Sequence, residues 1–169
     1  KTTLVPLALL DEAWLSGKKI LMLEPRRIAT KSAAHRMASL INESPGQTVG
    51  YRMRLDTKVS KQTRIEVMTE GILTRMLQKD PSLEKVGLVI FDEFHERNLD
   101  SDLALSLCLK GRTLFRDDQA PLKILIMSAT LDSQAIAQLL DNAPIVSSEG
   151  KSYPVDINYG RASQPKERI

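Results

Sequence analysis

The chain has 169 residues, 42% hydrophobic and 27% charged, with a formal net charge of +3, the make-up of one globular domain able to bury a real core. Its longest apolar runs, LKILIM and GLVIF, fall far below the roughly 20 residues of a membrane helix, and no signal-like segment opens it, so the chain reads as cytoplasmic with no membrane partner. The single cysteine, Cys108 in LALSLCLKG, excludes an internal disulfide, assembles no metal cage and reads as a buried thiol.

Taken from its start, KTT followed by LVPLALLDEAWL has helical spacing and matches the tail of G-x-x-x-x-G-K-[ST] if glycines precede Lys1. In that motif backbone amides and a helix N-terminus wrap phosphates, the Lys adds charge and the hydroxyl binds Mg²⁺. Trp14, helically spaced from Leu7 and Leu10, is expected to pack in the core. KKILMLEP (18–25) reads as a strand, and Arg26 and Arg27 follow Pro25 where strand yields to helix, so guanidinium groups and helix amides can together face a phosphate. Ala33, Met37 and Ile41 mark the helix, and QTVGYRM (47–53) the next strand. From Tyr51 to Arg64 five cations, Arg52, Arg54, Lys58, Lys61 and Arg64, stand against Asp56 alone, a strip suited to a phosphate backbone.

RIEVMT (64–69) is a further strand, with Thr69 as N-cap of a helix over 70–79 whose apolar positions are Ile72, Leu73, Met76 and Leu77. GLVIFDE (87–93) and LKILIMSAT (122–130) are apolar without alternation, as central strands buried on both faces are. Between them Leu99, Leu103 and Leu107 predict a helical stripe, and after them Ile136, Leu139 and Leu140 another. PIVSSEG (144–150) and VDINY (155–159) read as strands, although the prolines and glycines of 144–169 mark where the chain leaves the sheet. Strands alternating with helices imply an α/β fold, a mostly parallel, doubly wound sheet covered on both faces. Ligands then bind beyond the carboxyl ends of the strands, which points to Glu24–Arg27, Thr69–Gly71, Asp92–Arg97 and Ser128–Thr130.

Asp92 and Glu93 are consecutive at the end of a buried strand, so the pleat aims them differently. One can hold Mg²⁺ while the other orients and deprotonates a water attacking a γ-phosphate. His95 follows, and SAT begins 36 residues after Asp92.

The ordered set KTT, PRR, TEG, DEFH and SAT resembles motifs I, Ia, Ib, II and III of superfamily 2 helicases of the DEAH/RHA group. LEPRRIATKSAAHRMA, GYRMRLD and VIFDEFHERNLDSDLAL are most similar to the bacterial HrpB branch of ATP-dependent RNA helicases. Phe94 stands where the wider group has Ala, leaving the carboxylate roles untouched. The resemblance implies a RecA-like P-loop NTPase domain over 1–150, followed at 151–169 by the connection to a second RecA-like domain. It implies ATP and Mg²⁺ as cofactors, with Lys1, Thr2 and Thr3 at the phosphates, Thr2 and Asp92 as metal ligands and Glu93 as catalytic base. By the same resemblance His95, Ser128 and Thr130 couple hydrolysis to movement, Arg36 stacks on adenine, and Arg26, Arg27 and Thr69 touch the nucleic-acid backbone, with Arg52 and Arg54 of the basic strip beside them. The expected activity is ATP-driven translocation on RNA, complete only with the second domain; the alternatives are a translocase acting on single-stranded DNA and a non-catalytic nucleic-acid-binding module.

Overall fold

A β-rich, apolar run survives in the middle of a parallel sheet only if both of its faces are covered, and the runs at 19–23, 65–68 and 86–91 obey that rule. The computed structural model describes residues 1–116, 121–129 and 133–148. Six strands form one sheet: β1 (Lys19–Leu23), β2 (Val49–Met53), β3 (Asp56–Lys58), β4 (Ile65–Met68), β5 (Val86–Phe91) and β6 (Lys123–Ile126). They lie in the order β3-β2-β4-β1-β5-β6, every pairing parallel except β2 with β3. The helices are α1 (Leu4–Ala8), α2 (Arg27–Leu40), α3 (Glu70–Lys79), α4 (Leu99–Phe115) and α5 (Ser133–Leu139). This is the mixed α/β, mostly parallel architecture predicted from the alternation of strands and helices. No helix among the described residues is long and apolar enough to cross a membrane.

One core joins Ile20, Met22, Val49, Tyr51, Ile65, Val67, Leu88 and Ile90 of the strands to Ala33, Ala34, Met37 and Ala38 of α2. By strand alternation Leu21, Leu23, Met68, Val89 and Phe91 fall on the opposite face and are buried as completely. α3 and α4 pack on each other and contribute Leu73, Leu77, Ala104, Leu105 and Cys108 as buried residues. The chain divides into two compact units, 1–131 and 132–169. Of the second, residues 133–148 are described: α5 followed by backbone without regular structure from 143 to 148.

Five expectations need correction. The run 122–130 is not a central strand buried on both faces: among the described residues β6 is the edge strand, paired with β5 alone, and its residues are at most partly buried. The stripe Leu99, Leu103, Leu107 is not the buried face of α4, since Leu99 is 82% and Leu103 45% exposed. The helix turns inward Leu105 and the small residues Ser101, Ala104, Cys108 and Gly111, which let a neighbour approach: a Cβ on Gly111 would stand 2.3 Å from the carbonyl oxygen of Pro81. The helix predicted through Trp14 stops at Ala8, and a 3-10 turn over Ala13–Leu15 turns Leu15 inward. Trp14 remains 37% exposed with the ammonium of Lys123 5.0 Å from its ring centroid. β3 went unpredicted because Asp56–Lys58 is three polar residues with no apolar alternation to signal it. Finally, residues 144–148 form no strand; Pro144 lacks a donor, and Ile145 and Val146 are 50% and 94% exposed. The predicted strand at 155–159, the segment 151–169 and Thr130 lie outside the described residues.

Candidate nucleotide and nucleic-acid site

Parallel strands bring their carboxyl ends to one edge of the sheet, so the polar residues that follow β1, β4, β5 and β6 share that edge. Asp92 continues the ladder, donating its amide to Leu23 O at 3.1 Å, and is 4% exposed. Its Oδ1 accepts the Glu93 amide at 2.9 Å. Apart from the neighbouring Glu24 carboxyl, its Oδ2 is buried without a hydrogen-bond partner, a condition that disfavours a bare carboxylate and favours one that meets a cation.

The backbone then turns abruptly. Glu93 adopts φ 49 and, four residues later, Arg97 adopts φ 45, left-handed conformations that cost non-glycine residues roughly 1–3 kcal/mol each. Between them Phe94–Glu96 form a 3-10 turn. Phe94 anchors it: the ring is 4% exposed, edge-on to Phe91 at 6.0 Å, and its amide donates to Met127 O at 3.2 Å. The turn sets the Glu93 carboxylate 3.4 Å from Nδ1 of His95, a nitrogen otherwise buried without a hydrogen-bond partner. Glu96, from the same turn, forms an ion pair with Arg26.

Glu24 was placed at a strand end from the sequence but given no role there. It follows β1 as Asp92 follows β5, an acid after an unbroken apolar run, and that shared signature could have marked it as a site residue. It is 3% exposed, and burial, reinforced by the nearby charge of Asp92, pushes its carboxyl up to about 8. A cavity of about 370 Å³ opens here, lined among others by Thr2, Thr3, Glu24, Arg26, Arg36 and Glu93. It thus joins residues predicted for phosphate, adenine and catalysis, in the size range of small-molecule sites. Lys1 donates its ammonium to the carbonyl of Ser128, tying the chain's start to the end of β6.

The residues predicted to meet nucleic acid divide. Arg26 lines the cavity, whereas Arg27 turns away from it and donates to Arg54 O at 3.1 Å. Thr69 occupies the N-cap position of α3 but its side chain makes no capping hydrogen bond. The next residue, Glu70, accepts from Asn98 Nδ2 at 3.1 Å and Ser101 Oγ at 2.9 Å, which joins the start of α3 to the start of α4. Arg52 is not brought to Arg27: its Nε lies 2.5 Å from Glu66, which is 2% exposed and also bonds Lys19 at 2.5 Å.

The family model described as DEAD/DEAH box helicase matches residues 1–139. The chain is 56% identical over 159 residues to the ATP-dependent RNA helicase HrpB of Escherichia coli (strain K12), covering 94% of this chain and 19% of that protein. It is 39% identical over 160 residues to the pre-mRNA-splicing factor ATP-dependent RNA helicase prp22 of Schizosaccharomyces pombe, covering 94% of this chain and 13% of that protein. The crystal structure of the Escherichia coli DEAH/RHA helicase HrpB superposes with a TM-score of 0.84 at 56% identity, over 92% of this chain and 19% of that one. The chain therefore spans a fifth or less of the length of these relatives.

Proposed function

Because the chain belongs to the DEAD/DEAH box helicases, we propose that it is the ATP-binding part of a motor that moves along single-stranded RNA, its 1–150 portion being the first of two RecA-like domains joined through 151–169. The observation that carries this reading is the buried Oδ2 of Asp92, short of hydrogen-bond donors, next in the chain to Glu93, which lines a cavity together with Thr2, Thr3 and Arg36. An acid in that state fits Mg²⁺, which is held by one or two carboxylates plus phosphate oxygens and waters rather than by an all-protein cage. Thr2 and Asp92 would hold the ion, which when bound draws charge from the β- and γ-phosphates.

The remaining work falls to the chain's own groups. Lys1, Thr2 and Thr3 bind phosphate, and Arg36 packs on the base. Glu93, aimed by its left-handed backbone, takes the proton from the attacking water. His95 beside it senses whether that carboxylate is engaged, and Ser128 and Thr130 pass the change on. Arg27, Thr69 and Arg54 meet the nucleic-acid backbone. RNA is favoured over DNA because the relatives named above are RNA helicases.

The test is Glu93→Gln in the protein at its full natural length. ATP hydrolysis stimulated by RNA should fall by at least about 10²-fold, the range of general-base loss, while nucleotide binding persists. Hydrolysis at the unaltered rate would end the motor reading, and equal stimulation by single-stranded DNA would end the preference for RNA. The 169-residue chain by itself should turn over ATP far more slowly, since a transition-state arginine supplied from another domain is worth about 10³ to 10⁵ in rate.

A further inference from the structure

The two strands that lead into Glu24 and Asp92 start beside lysines. Lys19 opens β1 and Lys85 immediately precedes β5, and the amide of Lys19 donates to Lys85 O at 2.9 Å. A second cavity, of about 410 Å³, opens at this amino edge of the sheet, lined by Ser16, Gly17, Lys18, Lys19, Glu84 and Lys85. It lies roughly 20 Å from the first, the rise of six or so strand residues. Gly87 makes room for its wall: a Cβ there would stand 2.6 Å from Leu15 Cδ1 and 3.3 Å from Lys18 Cβ, so a bare glycine lets the turn after Leu15 lie against β5. That turn runs through two successive left-handed residues, Ser16 at φ 49 and Gly17 at φ 73. Among the described residues the Gly17 amide has no acceptor.

The charges here are out of balance. Lys19 is bonded to Glu66 at 2.5 Å, but among the described residues the ammonium groups of Lys18 and Lys85 meet no carboxylate, and Glu84 is the one acid in the lining. Ammonium groups gathered on a concave surface repel one another, and a multiply charged anion relieves that repulsion. Lysine meets phosphate as a point charge, a turn amide without an acceptor adds a donor, and the volume is that of a small-molecule site. We propose that this amino-edge cavity binds a small polyphosphate-bearing anion, with Lys18 and Lys85 as its charge partners and the Gly17 amide as a further donor. The site is separate from the nucleotide cavity and stands independently of the RNA-motor reading.

The test is isothermal titration of the full-length protein with sodium tripolyphosphate, at saturating ADP and without added metal so that the first cavity is occupied. The unaltered protein should bind, and Lys18→Gln with Lys85→Gln should weaken binding about tenfold or more, the loss expected for two partly solvated charge-assisted contacts. Lys18→Glu with Lys85→Glu should abolish it. Neither lysine side chain is buried, so the glutamine pair should unfold at nearly the unaltered temperature. Lys79→Gln with Lys110→Gln, the same change of charge at two exposed positions elsewhere, should leave the isotherm as it was. No binding by the unaltered protein overturns the proposal, as does equal weakening by this control pair. Equal binding of citrate overturns the assignment to phosphate. If the Lys18 and Lys85 glutamine pair weakens the binding of a labelled oligouridine but not of tripolyphosphate, the cavity belongs to the track and the proposal falls.

Discussion

At Cys108 the neighbours decide the chemistry of the side chain. The thiol is fully buried, and burial pushes it up to about 12, so the nucleophilic thiolate is essentially absent near neutrality. Native protein should resist iodoacetamide for hours and react promptly once unfolded, which mass spectrometry can follow. The same dependence on surroundings separates two glutamates. Glu96 and Arg26 have side chains 31% and 71% exposed, so Glu96→Gln should change unfolding free energy by less than about 1 kcal/mol. Glu66 is 2% exposed between Lys19 and Arg52; Glu66→Gln should cost about 2 kcal/mol, less than for a fully buried pair because both cations reach solvent. Denaturant titration of the two variants checks the contrast. Asp92 and Glu93 were legible because an apolar run ends on them. Glu66 was not, because a glutamate within a strand reads as facing water, and only the fold reveals two cations from neighbouring strands beside it.

Helix α3 leaves into a loop that is satisfied from both sides. Asp80 accepts the amides of Ser82, Leu83 and Glu84 at 3.1, 3.1 and 3.3 Å, and Arg116 donates to the carbonyls of Leu83, Glu84 and Val86 at 3.0, 3.2 and 3.1 Å. Those bonds hold the Asp80 carboxyl below its ordinary value, the Ser82 side chain contributing most. An acid whose folded value is depressed stabilises the fold above its unfolded value, near 3.8, and loses that contribution as pH falls through the folded value. Asp80→Ala should therefore destabilise by on the order of 1 kcal/mol at neutral pH, and the gap to the unaltered chain should narrow as pH falls below 3.8. Gly111 matters to the neighbouring contact in a different way. Gly111→Ala sets a methyl against the Pro81 carbonyl oxygen and should cost roughly 1–3 kcal/mol, again read by denaturation. Periodicity located every helix in unit 1 but chose the wrong face of α4. It weighs hydrophobicity, whereas close packing selects small residues such as Ser101, Ala104 and Gly111.

Across the whole sheet, sequence order and spatial order diverge, and that is why the site was only partly foreseen. The four strand ends were found from the apolar runs that precede them. That Arg26 would line the cavity, that Arg27 would hold the β2–β3 turn and that Arg52 would be taken by Glu66 depended on which strands became neighbours. The order β2-β4-β1-β5 also carries a mechanical meaning. From the turn bearing Arg54 to the strand that leads into Asp92 is three strand spacings, about 14 Å at the usual interval between hydrogen-bonded strands. Backbone hydrogen bonds lock every one of those steps, so the separation is a rigid one. On the RNA-motor reading this block is the ruler of the machine: it fixes the distance between fuel and track, and the stroke has to come from whatever moves against it.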